Sequence, residues 1–351
     1  MLQLIAAAIA VLFLVTGIVS PRDALESLDL ELLLILFALL MTVEILRASG
    51  YLDLVVKSAV ARFRTTRSFG FAMVMFSGVL AMFVTNDVAL FVVIPFTVIA
   101  SRFSDFDIED AVVLEIIATN LIGCLTPLGN PQNLYVYHRS GWNAGEFIGA
   151  MLPFVAWCTA GLIAALFLLG PSHEMKRGDV ALPARSAYAA VAGAVCLALV
   201  ILNVAHAIDA WPAAIAAAIA WLMFLRKRVD LSIVPLFFFV FIIVAGLPAL
   251  GVGFDGHVYF VSIALSQVIS NVPATILLAD SVDLTWIELL YGVSAGGCGT
   301  IIASLANLLG WRIYVRESNR DPRFFRRLTA INFAFLAWAA AGGWLLLKAK
   351  L

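Results

Sequence analysis

The chain has 351 residues, of which 63% are hydrophobic and only 13% charged, with a net charge of -1 and a mean hydropathy of +1.03. Soluble domains run nearer half apolar and a quarter charged, so one globular core cannot absorb this excess, and lipid is its natural solvent. No loop is long enough to fold as a soluble domain, which confines the protein's function to the membrane.

A membrane-crossing helix needs roughly 20 mostly apolar residues, and the chain has room for about ten of them. The opening segment, MLQLIAAAIAVLFLVTGIVS, has no basic start and too long an apolar run for a leader, so it reads as the first span. In chain order the apolar runs predict spans near 2–19, 28–47 and 50–66, the last with Lys57 in its middle. A Phe/Val/Met-rich stretch follows at 69–101, broken at Thr85-Asn86-Asp87, and then spans near 110–138 and 147–170. After the polar segment 171–185 the plan recurs. Spans are predicted near 184–204, 208–226 and 232–248, then a stretch at 256–281 broken at Ser270-Asn271, and spans near 285–312 and 327–348. Cys124, Cys158, Cys196 and Cys298 all lie in apolar runs at spacings that fit no zinc or redox motif, and they read as small packing residues.

The recurrence shows in the residues. GCLTPLGNPQN at 123–133 superposes without gaps on GCGTIIASLAN at 297–307, so that Gly123, Cys124, Thr126 and Asn133 match Gly297, Cys298, Thr300 and Asn307. TNDVA at 85–89 and SNVPA at 270–274 share their Asn and the Ala three residues later. An internal repeat of membrane spans is the mark of a secondary transporter. The predicted fold is an all-α polytopic membrane protein of two inverted repeats, 1–170 and 186–351, joined by a cytoplasmic linker at 171–185. Each repeat has five spans and one re-entrant hairpin.

Charge orients this plan. With each broken stretch treated as a hairpin, one side receives Arg22, Arg62, Arg64, Arg67, Arg102, Lys176, Arg177, Arg185, Arg226, Lys227, Arg228, Arg312, Arg316, Arg320, Arg323, Arg326 and Arg327. The other side receives Arg47, Arg139, Lys348 and Lys350. The basic side is cytoplasmic by the positive-inside rule, which puts both termini outside the cytoplasm, in an inner or plasma membrane. Five crossings per repeat is an odd number, so the second repeat is inverted.

A hairpin arm of about 14 helical residues rises about 21 Å, enough to reach the bilayer midplane without crossing. Irregular backbone at that depth survives only inside protein or along a watery cavity. The stretch 126–133, with Pro127, Gly129, Asn130, Pro131, Gln132 and Asn133, predicts a discontinuous helix, and Thr300, Ser304 and Asn307 stand in its counterpart. Free carbonyls there suit a cation, and half-helix N-termini suit an anion. The candidate binding residues are therefore Thr85, Asn86, Asp87, Thr126, Gly129, Asn130, Asn133, Ser270, Asn271, Thr300, Ser304 and Asn307. Asn86, Asp87 and Asn271 are candidate sodium ligands. Asp87 is the residue expected to carry coupling, as a proton or cation site, against the alternative that it only caps the helix after it. Asn86 and Asn271 are expected to face each other across the midplane. Glu115 reads as interfacial, with a proton relay as the alternative, and Glu44 as a local partner of Arg47.

These motifs resemble the ion transporter superfamily, which includes arsenite efflux permeases, sodium/proton antiporters and sodium-coupled dicarboxylate or citrate carriers. VTNDVALFVVIPF is similar to the first hairpin of the arsenite-permease branch, and TPLGNPQNLYVY to the family's broken-helix signature. SNVPATILL and GTIIASLANLL look like the second hairpin and second broken helix. The resemblance implies a mobile transport domain, a scaffold that forms a homodimer, and elevator-type movement. The chain departs from the Ser-Asn-Thr hairpin tips of dicarboxylate carriers, carrying Thr85-Asn86-Asp87 and Ser270-Asn271-Val272 instead. No Lys or Arg falls at the predicted midplane, so a neutral oxyacid, a monovalent anion or a cation fits better than a multivalent anion.

The function expected is secondary transport of a small anion or oxyacid coupled to H+ or Na+. A Na+/H+ antiporter is the alternative within transport, and an ion channel the alternative outside it. No acid/base or metalloenzyme constellation points to an enzyme, and no cofactor, nucleic acid or ATPase subunit is expected. The expected partners are lipid, the small ion and a second copy of the chain.

Overall fold

In lipid the backbone has no water to bond with, so long apolar runs take the form that satisfies every peptide group internally. The computed structural model describes residues 2–28, 30–103, 108–169, 172–175, 182, 184–204, 207–225, 229, 231, 233–246, 257–279, 285–318 and 322–350. Among these residues the regular elements are helical. In chain order they are α1 (Leu2–Val15), α2 (Pro21–Glu26), α3 (Leu30–Ala48), α4 (Tyr51–Val60), α5 (Thr66–Val84), α6 (Asn86–Phe103), α7 (Glu109–Leu121), α8 (Pro131–Ser140) and α9 (Ala144–Leu169). Then come α10 (Ala187–Val204), α11 (Ala210–Ala220), α12 (Ile233–Gly246), α13 (Val258–Ile269), α14 (Asn271–Leu278), α15 (Trp286–Gly296), α16 (Leu305–Ser318) and α17 (Pro322–Lys350).

Four of these helices are long and apolar enough to cross a membrane by themselves: Thr66–Val84, Asn86–Phe103, Ala144–Leu169 and Arg323–Ala349. The chain is an integral membrane protein of several apolar helices. Two lengths differ from expectation. The span expected over 50–66 is helical only over the ten residues of α4, a rise of about 15 Å, half a hydrocarbon core. The arms around Thr85 are 19 and 18 residues, not about 14, so length alone does not tell a re-entrant pair from two crossings.

The chain divides into two compact units, and each draws on both halves of the sequence. One comprises Met1–Leu54 with Leu182–Phe254, the other Val55–Ala181 with Asp255–Leu351. In the first unit α3 packs on α10 and α11, and α1 packs on α12. Asn203 Nδ2 donates to Glu31 Oε1 there at 2.7 Å. Most of the segment 171–185, part of the stretch 256–281 expected to form a hairpin, and Lys176, Arg177, Arg226, Lys227, Arg228 and Arg320 lie outside the described residues.

The second unit holds every residue of the candidate site. Its closest packing pairs are α5 with α7 and α13 with α15. Small residues let these backbones approach, as in other membrane helix pairs. A Cβ on Gly78 would lie 2.6 Å from Ile122 Cβ, and one on Gly123 2.8 Å from Ala81 Cβ. A Cβ on Gly296 would likewise lie 2.6 Å from Ser266 Oγ. At one end, α7 is tied to α17 by paired charges, Asp110 with Arg327 and Glu109 with Arg323. Farther along α17, Trp157 of α9 and Trp338 stack at 4.6 Å between ring centroids.

Candidate functional site

The site begins with two turns of the same shape. Thr85 separates α5 from α6 with φ 69° and ψ 154°, and Ser270 separates α13 from α14 with φ 77° and ψ 153°. They are the non-glycine residues of positive φ among those described. That region is close to glycine-only and costs about 1–3 kcal/mol per residue, so the surroundings must hold it in place. The next amide does so in each case. Asn86 N donates to Gly129 O at 2.9 Å, and Asn271 N donates to Ala303 O at 2.9 Å. Each turn is thus docked on the break of one discontinuous helix.

The breaks come next. α7 ends at Leu121, a single tight turn spans Gly123–Leu125, and Pro131 restarts the helix as α8 at the position where its fixed φ and missing N–H cost nothing. Asn133 Nδ2 returns to the broken stretch and donates to Cys124 O at 2.9 Å and Thr126 O at 3.0 Å. The second break, which lacks proline, runs from the end of α15 at Gly296 to Leu305, with Gly299 at φ 107°. There Asn307 Nδ2 donates to Gly297 O at 2.9 Å and Thr300 O at 3.1 Å. Thr126 Oγ1 donates to Met82 O at 2.5 Å and Thr300 Oγ1 to Gln267 O at 2.9 Å, so each hydroxyl fastens a break to the helix that precedes a turn, α5 or α13. Gly129 allows the closest approach, since a Cβ there would fall on the Gly123 carbonyl oxygen.

Asn120, which sequence reasoning passed over, joins these parts. Its Oδ1 accepts from Asn86 Nδ2 at 3.1 Å and from Ser304 Oγ at 2.9 Å, and its Nδ2 donates to Asn307 Oδ1 at 3.0 Å. Its backbone oxygen accepts from Asn130 Nδ2 at 3.2 Å. Five of the polar residues therefore share one network, and α6 packs on α16 while α14 packs on α8. Gln267 was missed as well. Its Nε2 donates to Gly296 O at 2.9 Å and Cys298 O at 3.0 Å, and its Oε1 accepts from Thr300 N. The only sequence signal for either residue was an amide inside an apolar run.

Asn86 and Asn271 do not bond to each other among the described residues. Asn86 reaches Asn120, and its Oδ1 accepts from Asp87 N at 2.9 Å. Asn271 lies against the second break, where a Cβ on Gly297 would come within 2.9 Å of its Nδ2. Glu115, read as interfacial with a proton relay as the alternative, is packed inside the protein. It is fully buried, and its Oε1 accepts from Thr97 Oγ1 at 2.6 Å. Glu44 lies 3.9 Å from Arg47, the local pair expected.

Several polar atoms are buried and accept nothing among the described residues. They include Asp87 Oδ1, Asn130 Oδ1, Asn133 Oδ1 and Ser270 Oγ. Asn130 stands at the N-cap of α8 without capping it. Asp87 is 4% exposed, and no Lys, Arg or His is buried among the described residues. An isolated carboxylate in such surroundings is expensive, and it is stabilised by a bound cation or by a proton of its own. Carboxylate and amide oxygens with free lone pairs are ligands for a hard monovalent cation, and the start of α8, where Pro131 has no N–H and Asn133 N donates to Asn130 O, faces an anion with the positive end of a helix dipole.

Known proteins bear on this arrangement. Residues 1–295 match the family described as CitMHS, citrate transporter. The chain is 32% identical over 344 residues to the inner membrane protein YbiR of Escherichia coli, covering 93% of this chain and 90% of that protein. It is 31% identical over 335 residues to an uncharacterized transporter of Methanocaldococcus jannaschii, covering 91% and 90%. A shorter likeness, 27% over 160 residues, is to the P protein of Homo sapiens and covers 42% of this chain and 19% of that one.

Proposed function

This chain belongs to the citrate transporter family and is a membrane transporter rather than an enzyme, and from that premise we propose an ion-coupled carrier of a small anion or oxyacid. Its binding site is where the turns at Thr85 and Ser270 dock on the two broken helices. The observation that carries this reading is the set of buried, unpartnered oxygens on Asp87, Asn130 and Asn133 in surroundings with no buried basic side chain. A cation taken up there, Na+ or H+, neutralises Asp87 and leaves the anion to the amides and the start of α8.

With no buried Lys, Arg or His among the described residues of the unit that holds the site, a monovalent anion or a neutral oxyacid such as arsenous acid is favoured, in line with the arsenite-permease likeness of the Thr85-Asn86-Asp87 turn. The family's description favours citrate, whose charge would require co-bound cations here. Two inverted repeats with re-entrant hairpins account for the matching bonds at the two turns and two breaks. The stacked pair Trp157–Trp338 is consistent with them, since each indole nitrogen donates to the other's backbone oxygen. On this reading the unit holding the site is the moving part of an elevator. The other unit is the scaffold of a homodimer, with both termini outside the cytoplasm.

Purified protein in liposomes tests the proposal, with flux of arsenite, antimonite, citrate, sulfate and Na+ followed under imposed pH and sodium gradients. The proposal expects one anion or oxyacid to show saturable, gradient-driven uptake and counterflow. Unsaturable flux without counterflow would make the protein a channel. Exchange of Na+ for H+ with no anion moved would make it an antiporter.

A further inference from the structure

Asn133 and Asn307 hold matching places in GCLTPLGNPQN and GCGTIIASLAN, and each turns its amide nitrogen onto two carbonyls of its own break. Only an NH2 group can meet two carbonyls, so the orientation of both amides is fixed and both Oδ1 atoms point elsewhere. There the halves differ. Asn133 Oδ1 accepts nothing among the described residues, whereas Asn307 Oδ1 accepts from Asn120 Nδ2 at 3.0 Å.

The source of the difference is one position. Asn120 stands three residues before Gly123, and the residue three before Gly297 is Ser294, too short to repeat the reach. With its nitrogen committed to Asn307, Asn120 presents Oδ1 to Ser304 and Asn86 and so satisfies them too. Of the buried oxygens left free at the two turns and breaks, the carboxylate and amide oxygens, on Asp87, Asn130 and Asn133, all belong to the first half, and the second half keeps the Ser270 hydroxyl.

We infer that Asn120 is a positioning residue that limits the carrier to one sodium ion, because its amide fills in the second half the acceptor that the first half leaves for the ion. The N–H dipole of Asn120 does for Asn307 Oδ1 what the cation does for Asn133 Oδ1. The inference rests on the cation-coupled reading above and adds a stoichiometry and a residue to it.

Sodium alone is the probe. Thermal stability of purified wild type, Asn120→Ser and Asp87→Asn is measured against NaCl, with choline chloride holding ionic strength. At saturation the stability gained per unit of ln[Na+], divided by RT, approaches the number of ions bound by the folded state alone. Wild type should give about 1 by that relation, Asn120→Ser should rise toward about 2, and Asp87→Asn should lose the response. A wild-type value of about 2, or a folded Asn120→Ser that stays at about 1, overturns the inference. If Asn120→Ser does not fold, the wild-type value decides by itself. No sodium response in wild type also overturns it. In that case anion uptake driven by a pH gradient in liposomes would leave the transport reading standing, and no uptake under any gradient would remove both.

Discussion

Thr85 and Ser270, 185 residues apart in the chain, hold nearly the same backbone conformation, φ 69° and ψ 154° against φ 77° and ψ 153°. Each is followed by an asparagine whose amide is fixed on the carbonyl of a broken helix. This conformation suits glycine and strains any residue with a Cβ. Ser270→Gly should therefore stabilise the protein by about 1–3 kcal/mol, read as a higher Tm in detergent. A lower Tm would mean that the serine hydroxyl contributes more to folding than the strain costs.

Gly129→Ala should do the opposite. The added Cβ would fall on the Gly123 carbonyl, and both are backbone in a break that cannot yield without releasing Asn86 N from Gly129 O. The expected cost is about 1–3 kcal/mol or more, as for overpacking elsewhere, with loss of transport. Gly149→Ala, where a Cβ would meet nothing within 4 Å, is the control and should leave both unchanged.

Trp157 and Trp338 offer a test of coupling between the two halves of the sequence. Each ring lies over a glycine of the other helix, Trp338 on Gly161 and Trp157 on Gly342. Trp157→Phe and Trp338→Phe should each cost about 0.5–1.5 kcal/mol through one lost hydrogen bond. The double variant should cost measurably less or more than the sum, because the two bonds share one stacked pair. Strict additivity would show that the rings do not act as a unit.

How much of this was legible beforehand depended on the residue type. The first break was plain, because Pro127 and Pro131 each interrupt a continuous helix and Gly129 weakens it. The second lacked proline and was visible only through its register with the first. Asn120 and Gln267 were hidden, since a single amide in an apolar run carries no motif, and its partners are up to 187 residues away. The positive φ at Thr85 was unreadable in principle, because a β-branched residue is the last to be expected there. The turn at Thr85 was legible as a break, but the lengths of the helices around it were not. Its arms proved as long as full spans, and α4 proved too short for one, because apolar composition sets helix lengths only loosely.

Topology gives a test independent of chemistry. With the basic residues on the cytoplasmic side, a reporter fused after Leu351 should be active only outside the cytoplasm. Fusions within 171–185 and at Glu317 should report cytoplasm. A cytoplasmic C-terminus would contradict two inverted halves of five crossings each.

The central claim is that a cation at Asp87 drives transport, and Asp87→Asn tests it most directly. Asparagine keeps the size and the hydrogen-bonding reach at the start of α6 but cannot bear a charge, and the Asp87 side chain caps no helix among the described residues. Wild type and variant are reconstituted side by side, and uphill uptake under a sodium or pH gradient is compared with equilibrium exchange. The account predicts that Asp87→Asn folds and inserts, loses gradient-driven accumulation and keeps exchange. Full uphill transport in this variant, with an unchanged pH profile, would contradict it and place coupling at another residue.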